Sequence, residues 1–417
     1  MLQKYFTLYC IAVLCSVKAG AQNVSSPYSI LGIGDIETYD YGRYSASGGA
    51  AVARREAGFY NFANPASLTV MPYKAINLDI AFRGRVSKFK LTGTDTFTLP
   101  SKDVVVKRAT IAFKVTPKVG FAFGIKPFSS VNYQYTGTSA IADGNAAFLK
   151  YTDGSGGINQ TYFSIAKQIK KRLSVGATAS WLFGALQSST NYYNPTLGLD
   201  VLRTENNFYN AAGVQGGIQY HSLYGKKWQH TLGATATAYT KLKGQNTTEY
   251  VESSTLLKTL DPVNIQFKMP VTVSAGYSVA NKNGISFHLQ GTYNKWATQK
   301  LNYTNSFTKD AYSFNAGMEY SKRITGPEVS LEKYYLAWGV KMEQSYLAIN
   351  NRQLNDFAAT LGAGKNLSRL LSVNAGIEVG QKGKASLNQI QENYFQFNVG
   401  ITLKDIWYGT RKFGRFN

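Results

Sequence analysis

The 417-residue sequence has only two cysteines, Cys10 and Cys15, both within its first fifteen positions. A disulfide-rich scaffold and a cysteine-ligated metal site are therefore excluded. Charged residues make up 16% of the chain, against about 25% in an ordinary soluble protein. Acidic residues are the scarcer, 23 against 45 basic, for a net charge of +22. Histidine occurs only at His221, His230 and His288, with no metal-ligand spacing on one strand face. No phosphate-cradling loop or hydrolase elbow is present. No later segment is a run of 18 apolar residues, so no transmembrane helix follows the N-terminus. Low charge with 14% aromatic residues also excludes intrinsic disorder. No catalytic residue, metal or cofactor is assigned. The length allows two or three soluble domains or one large barrel.

Met1 to Ala21 has the layout of a secretory signal peptide. Lys4 supplies the positive start, Tyr5 to Val17 the apolar core, and Ala19-Gly20-Ala21 the small-x-small cleavage site. Cleavage removes both cysteines and two lysines, leaving a thiol-free chain of charge +20. Export argues against nucleic acid as the partner of all this positive charge.

Beyond residue 74 the sequence alternates at period two. Leu173, Val175, Ala177, Ala179, Trp181 and Phe183 share one face; Ser174, Gly176, Thr178 and Ser180 share the other. The same pattern recurs around Ile285–Tyr293, Leu371–Val379 and Phe395–Leu403. The runs reach ten residues or more, as a tilted membrane strand requires. Short connections such as Thr116-Pro117 and Lys170-Lys171 alternate with Thr-, Asn- and Gly-rich ones at 137–156, 191–205 and 247–261. These features predict an all-β fold: a transmembrane antiparallel barrel of about fourteen strands, with short periplasmic turns and longer outer loops. The expected organisation is a signal peptide at 1–21, a hatch at 22–74, a barrel at 75–403 and a periplasmic tail at 404–417. An even strand count puts both barrel ends in the periplasm of an outer-membrane protein.

Residues 23–74 do not alternate. The small-residue run Gly48-Gly49-Ala50-Ala51-Val52-Ala53 leads into Phe59-Tyr60-Asn61 and then Asn64-Pro65-Ala66. A glycine-rich strand, Val119 to Ser129, contains Gly124, Pro127 and Phe128. Together these resemble the FadL/TodX family of outer-membrane transporters for hydrophobic compounds, whose members carry GAAVA- and FYNPAGL-type elements before the first strand. The inserted Phe62 and Ala63, with Ser67 and Ser129 in place of glycine, are departures. The resemblance implies a hatch folded into the lumen and a third strand kinked inward to open a lateral exit for an apolar ligand. Pro127 marks that break, or else bends the strand near the outer rim. The start Ser26 to Asp35 resembles Bacteroidota members, where relatives also serve as subunits of secretion and outer-membrane assembly machines.

Lys170, Lys171, Arg172, Lys226 and Lys227 head a set of cations flanking the short turns. Either a solvated rim tolerates them, or the rim binds anionic headgroups or an acidic periplasmic partner. The tail, with Trp407, Tyr408, Phe413 and Phe416, either tucks under the barrel or docks elsewhere. The leading expectation is a noncatalytic channel for a hydrophobic small molecule, in contact with outer-membrane lipids and with no nucleic acid partner. The alternative is a barrel subunit of a secretion or assembly complex with protein partners.

Overall fold

The computed structural model describes residues 26–37, 41–90, 100–140, 147–196, 198–222, 227–301, 305–325, 330–387 and 389–406. The expected signal peptide, Lys226 and residues 407–417 of the expected tail lie outside them. Fourteen antiparallel strands close a barrel. They are β1 (Ala75–Lys90), β2 (Pro100–Lys114), β3 (Val119–Ala140), β4 (Ala147–Lys170), β5 (Leu173–Asn194) and β6 (Leu199–His221). β7 is interrupted (Trp228–Tyr239, Leu242–Glu252), as is β8 (Thr255–Thr259, Val263–Phe267, Val271–Asn281). β9 (Ile285–Lys295), β10 (Ala311–Thr325), β11 (Ser330–Ile349), β12 (Arg352–Asn366), β13 (Leu371–Lys382) and β14 (Gln391–Ile406) complete it. β14 pairs with β1 from Gln391↔Lys90 to Ile406↔Ala75, which removes the open edges that lipid does not tolerate. β14 thus includes three residues expected in the tail.

The alternation sorts side chains as lipid on one face and protein on the other demand. Along β5, Trp181 is 49% exposed while Ser174 and Thr178 are buried. Val214, Leu232, Phe314, Phe357 and Leu361 are each at least half exposed. They belong to an apolar belt far beyond the patches of a soluble monomer. A protein with that belt and a closed barrel is an outer-membrane type β-barrel.

The Thr- and Asn-rich connections are a correction. Much of 137–156, 191–205 and 247–261 is strand, extending β3 to β8 at the end opposite the short turns. Strand that extends past a hydrocarbon layer has no face against lipid. Apolar alternation fades there while the backbone ladder continues, as in Leu199↔Asn194 through Asn206↔Gln187.

Candidate functional site

Inward-facing wall glycines let the backbone of the segment before β1, called the hatch below, come close. A Cβ added at Gly400 of β14 would lie 3.0 Å from Gly42 Cα; at Gly362 of β12, 2.7 Å from Ala46 Cβ; at Gly317 of β10, 2.3 Å from Ser47 O. Gly339 of β11 faces Gly48, Gly233 of β7 faces Val52, Gly217 of β6 faces Asn64 and Gly176 of β5 faces Ala66. The chain from Gly42 to Ala66 therefore travels around the inner wall. Gly48 and Gly49 both have positive φ, 67° and 75°, and a Cβ on Gly48 would meet Val340 O at 2.6 Å and Ala316 O at 2.8 Å. Only glycine suits that position.

The second hatch element is held by its asparagines. Asn64 caps the 3₁₀ turn Pro65–Val70, accepting from Ala66 N at 3.1 Å. Its amide donates to Val52 O at 2.9 Å and to the wall at Ile218 O at 3.1 Å. Asn61 donates to Ala51 O and Arg54 O, tying the two hatch elements together. Tyr60 hydrogen-bonds Ser164 on β4 and stacks on Tyr162. Phe59 lies beneath Arg43 and Lys404, 4.8 and 3.8 Å from its ring centroid.

Buried charges add a lock that the sequence reading did not identify. Glu319 of β10 receives Arg43 on one carboxylate oxygen and Arg54 on the other, both at 2.5 Å. Arg43 also pairs with Glu332, and Arg54 with Glu56. The inward phase of Glu319 was legible; its partners, more than 260 residues away in a glycine-rich run, were not.

The wall is interrupted between β2 and β3. Their pairing covers only Ala109–Lys114 with Ile125–Gly120. β2 continues on β1, and β3 continues on β4 with a register shift between Pro127 and Ser129. Proline has no N–H to donate, so the ladder breaks there at low cost. Gly124 sits just before the break, where a Cβ would strike Ala109 O and Tyr162. Phe128 turns into an apolar cluster with Val131, Ile158 and Leu182. The bared β3 edge is taken by the hatch. Its strand Asp35–Ile36 pairs with Ser130 and Ser129, Glu37 N donates to Phe128 O, and Ser26 N donates to Asn132 O.

The hatch also supplies the side chains that fill the apolar interior. Ile33 is fully buried among Phe128, Ile158, Leu182 and Leu242, flanked by Ile30 and Ile36. Leu31 packs with Trp296, Tyr346, Leu347 and Leu354. One cavity among the described residues, of about 160 Å³, lies against the hatch and is lined by the charged groups Arg83, Arg85, Lys107, Lys341 and Glu378 together with Ile36, Val105 and Leu347. Burial pushes the Glu37 carboxyl up, but the charges of Lys107 and Arg83 outweigh burial and hold it well below the usual carboxylate range. Asp35, bonded to Lys382 at 3.1 Å, is lowered in the same way against its own burial.

His288 is buried between Ser278 and Ser286, with a hydroxyl on each ring nitrogen. Among the described residues no cluster of His, Cys, Asp and Glu is placed to hold a metal. Lys170, Lys171, Arg172 and Lys227 are exposed at the short-turn end.

No curated protein matches the sequence. The fold is similar to the CymD monoaromatic hydrocarbon channel (TM-score 0.53, 14% identity, covering 88% of this chain and 98% of that one). It is also similar to a Pseudomonas aeruginosa FadL homologue (0.59, 12%, 89% and 98%) and to the Pseudomonas putida toluene transporter TodX (0.56, 14%, 90% and 100%). At these identities the likeness is one of fold. A family model described as BamG matches residues 1–414, nearly the whole sequence, and the chain belongs to the BamG family.

Proposed function

We propose that this protein is a noncatalytic barrel subunit of an outer-membrane secretion or protein-assembly complex, its lumen held shut by the hatch. The observation that carries the reading is the filled interior. An apolar solute gains from an apolar route because its surface leaves water. Here Leu31, Ile33 and their neighbours take up apolar volume inside the barrel, and the cavity of about 160 Å³ beside them carries Arg83, Arg85, Lys107, Lys341 and Glu378 in its lining. The match to the BamG family over residues 1–414 supports the same reading. Signal cleavage near Ala21 and periplasmic placement of both barrel ends belong to this proposal.

A second reading, a channel for fatty-acid-like or aromatic molecules, is favoured by the β2–β3 interruption and the shared fold. In it the hatch strand would leave the β3 edge to open a lateral path. Native purification followed by identification of bound proteins, run beside uptake of labelled fatty acids and toluene with and without the gene, separates the two. Stoichiometric protein partners with unchanged uptake support the subunit. Gene-dependent uptake by a chain that purifies alone supports the channel.

A further inference from the structure

We propose that the short-turn rim of the barrel is a ring-shaped docking surface for anionic phospholipid headgroups. Among the described residues, exposed cations stand in or beside each of the six connections at this end: Lys118; Lys170 to Arg172; Lys227; Lys282; Lys322, Arg323 and Lys333; and Lys365 with Arg369. The cations therefore encircle the barrel. A protein partner touches one arc of such a rim, whereas a lipid leaflet touches all of it. Among the described residues here, Glu332 is turned inward to Arg43 and Asp405 is the exposed carboxylate. At the opposite end the signs are interleaved, as with Lys150 near Asp153 and Lys258 near Asp261.

Apolar side chains stand at the level of the cations. Ile169, Leu367 and Leu370 are 50%, 55% and 56% exposed, next to Lys170 and on both sides of Arg369. A turn that puts a leucine or isoleucine at the acyl boundary and a lysine or arginine among the headgroups matches both layers of a leaflet. Each cation near an anionic surface gains electrostatic attraction that salt screens.

The test uses the full mature chain in nanodiscs of phosphatidylcholine with one fifth phosphatidylglycerol. Lipid retained by the protein is counted by native mass spectrometry at low and high salt. Expected is a several-fold enrichment of phosphatidylglycerol that falls at high salt. It should drop towards the bulk ratio in Lys118→Glu/Lys170→Glu/Lys171→Glu/Lys227→Glu and persist in the outer-end control Lys243→Glu/Lys258→Glu. Heat-modifiable gel migration verifies that each variant is folded; if the fourfold variant does not fold, the pair Lys170→Gln/Lys171→Gln, expected to lose part of the enrichment, replaces it. Absence of enrichment, or equal enrichment in rim-reversed and parent proteins, overturns the proposal. So does a rim variant that keeps its lipid preference but loses a co-purifying acidic protein.

Discussion

Arg54 of the hatch donates to Glu319 of β10 at 2.5 Å, with both side chains almost wholly buried. Arg43 occupies the other carboxylate oxygen of Glu319, so one wall carboxylate bridges two hatch guanidiniums, whose charges Glu332 and Glu56 also meet. Removing one partner of a buried pair leaves an uncompensated charge, which costs about 3–5 kcal/mol. Glu319→Gln leaves Arg43 with Glu332 and Arg54 with Glu56, so it is expected to lower unfolding stability in detergent by less than that, about 1–3 kcal/mol, and to loosen the hatch. Urea titration followed by gel migration measures the first effect, and protease cutting near Arg54 the second. A variant as stable and protected as the parent would contradict the lock.

Acid should weaken the hatch strand in a defined direction. The Glu37 carboxyl lies below its ordinary value because Lys107 and Arg83 outweigh the effect of burial. A lowered folded pKa contributes stability that is complete above the unfolded value, about 4.3, and is lost as pH falls towards the folded one. The stability difference between parent and Glu37→Gln should hold steady from about pH 8 to pH 5 and shrink below about pH 4. Thermal unfolding of both proteins across that range checks it; a gap that widens in acid would reverse the sign.

Gly34 holds the hatch strand against the interrupted wall. Its φ is +89°, and a Cβ there would lie 2.4 Å from Ser130 O and 2.6 Å from a Val131 methyl. Gly34→Ala should push Asp35–Ile36 off β3 at a cost of about 1–3 kcal/mol. Amide exchange should rise across residues 26–37, while wall peptides from β9 to β13 stay protected. Unchanged exchange in the hatch would show that the strand docks without the close approach.

The wall was legible because lipid imposes a period of two. Leu173 to Phe183 announced β5 residue by residue, and Trp181 and Phe183 face outward as that alternation requires. Where lipid ends, as in Thr204 to Asn207, the same backbone pairing leaves no apolar signature. Asn64 and Pro65 could be singled out by their resemblance to a family element, and Pro127 because a missing N–H is a local property. The Glu319 lock and the filling of the lumen by Leu31 and Ile33 depend on contacts between distant parts of the chain. No window of sequence contains them.

A closed subunit keeps its hatch in place while the protein works. A Cβ added at Gly376 of β13 would lie 3.6 Å from Ala46 Cβ, within the range that a disulfide spans. The expected mature chain offers no competing thiol. Ala46→Cys/Gly376→Cys, expressed as the only copy of the gene, should oxidise and keep the protein partners that co-purify with the parent. Loss of those partners in the oxidised protein, with recovery on reduction, would show that the hatch must move and would contradict a closed subunit.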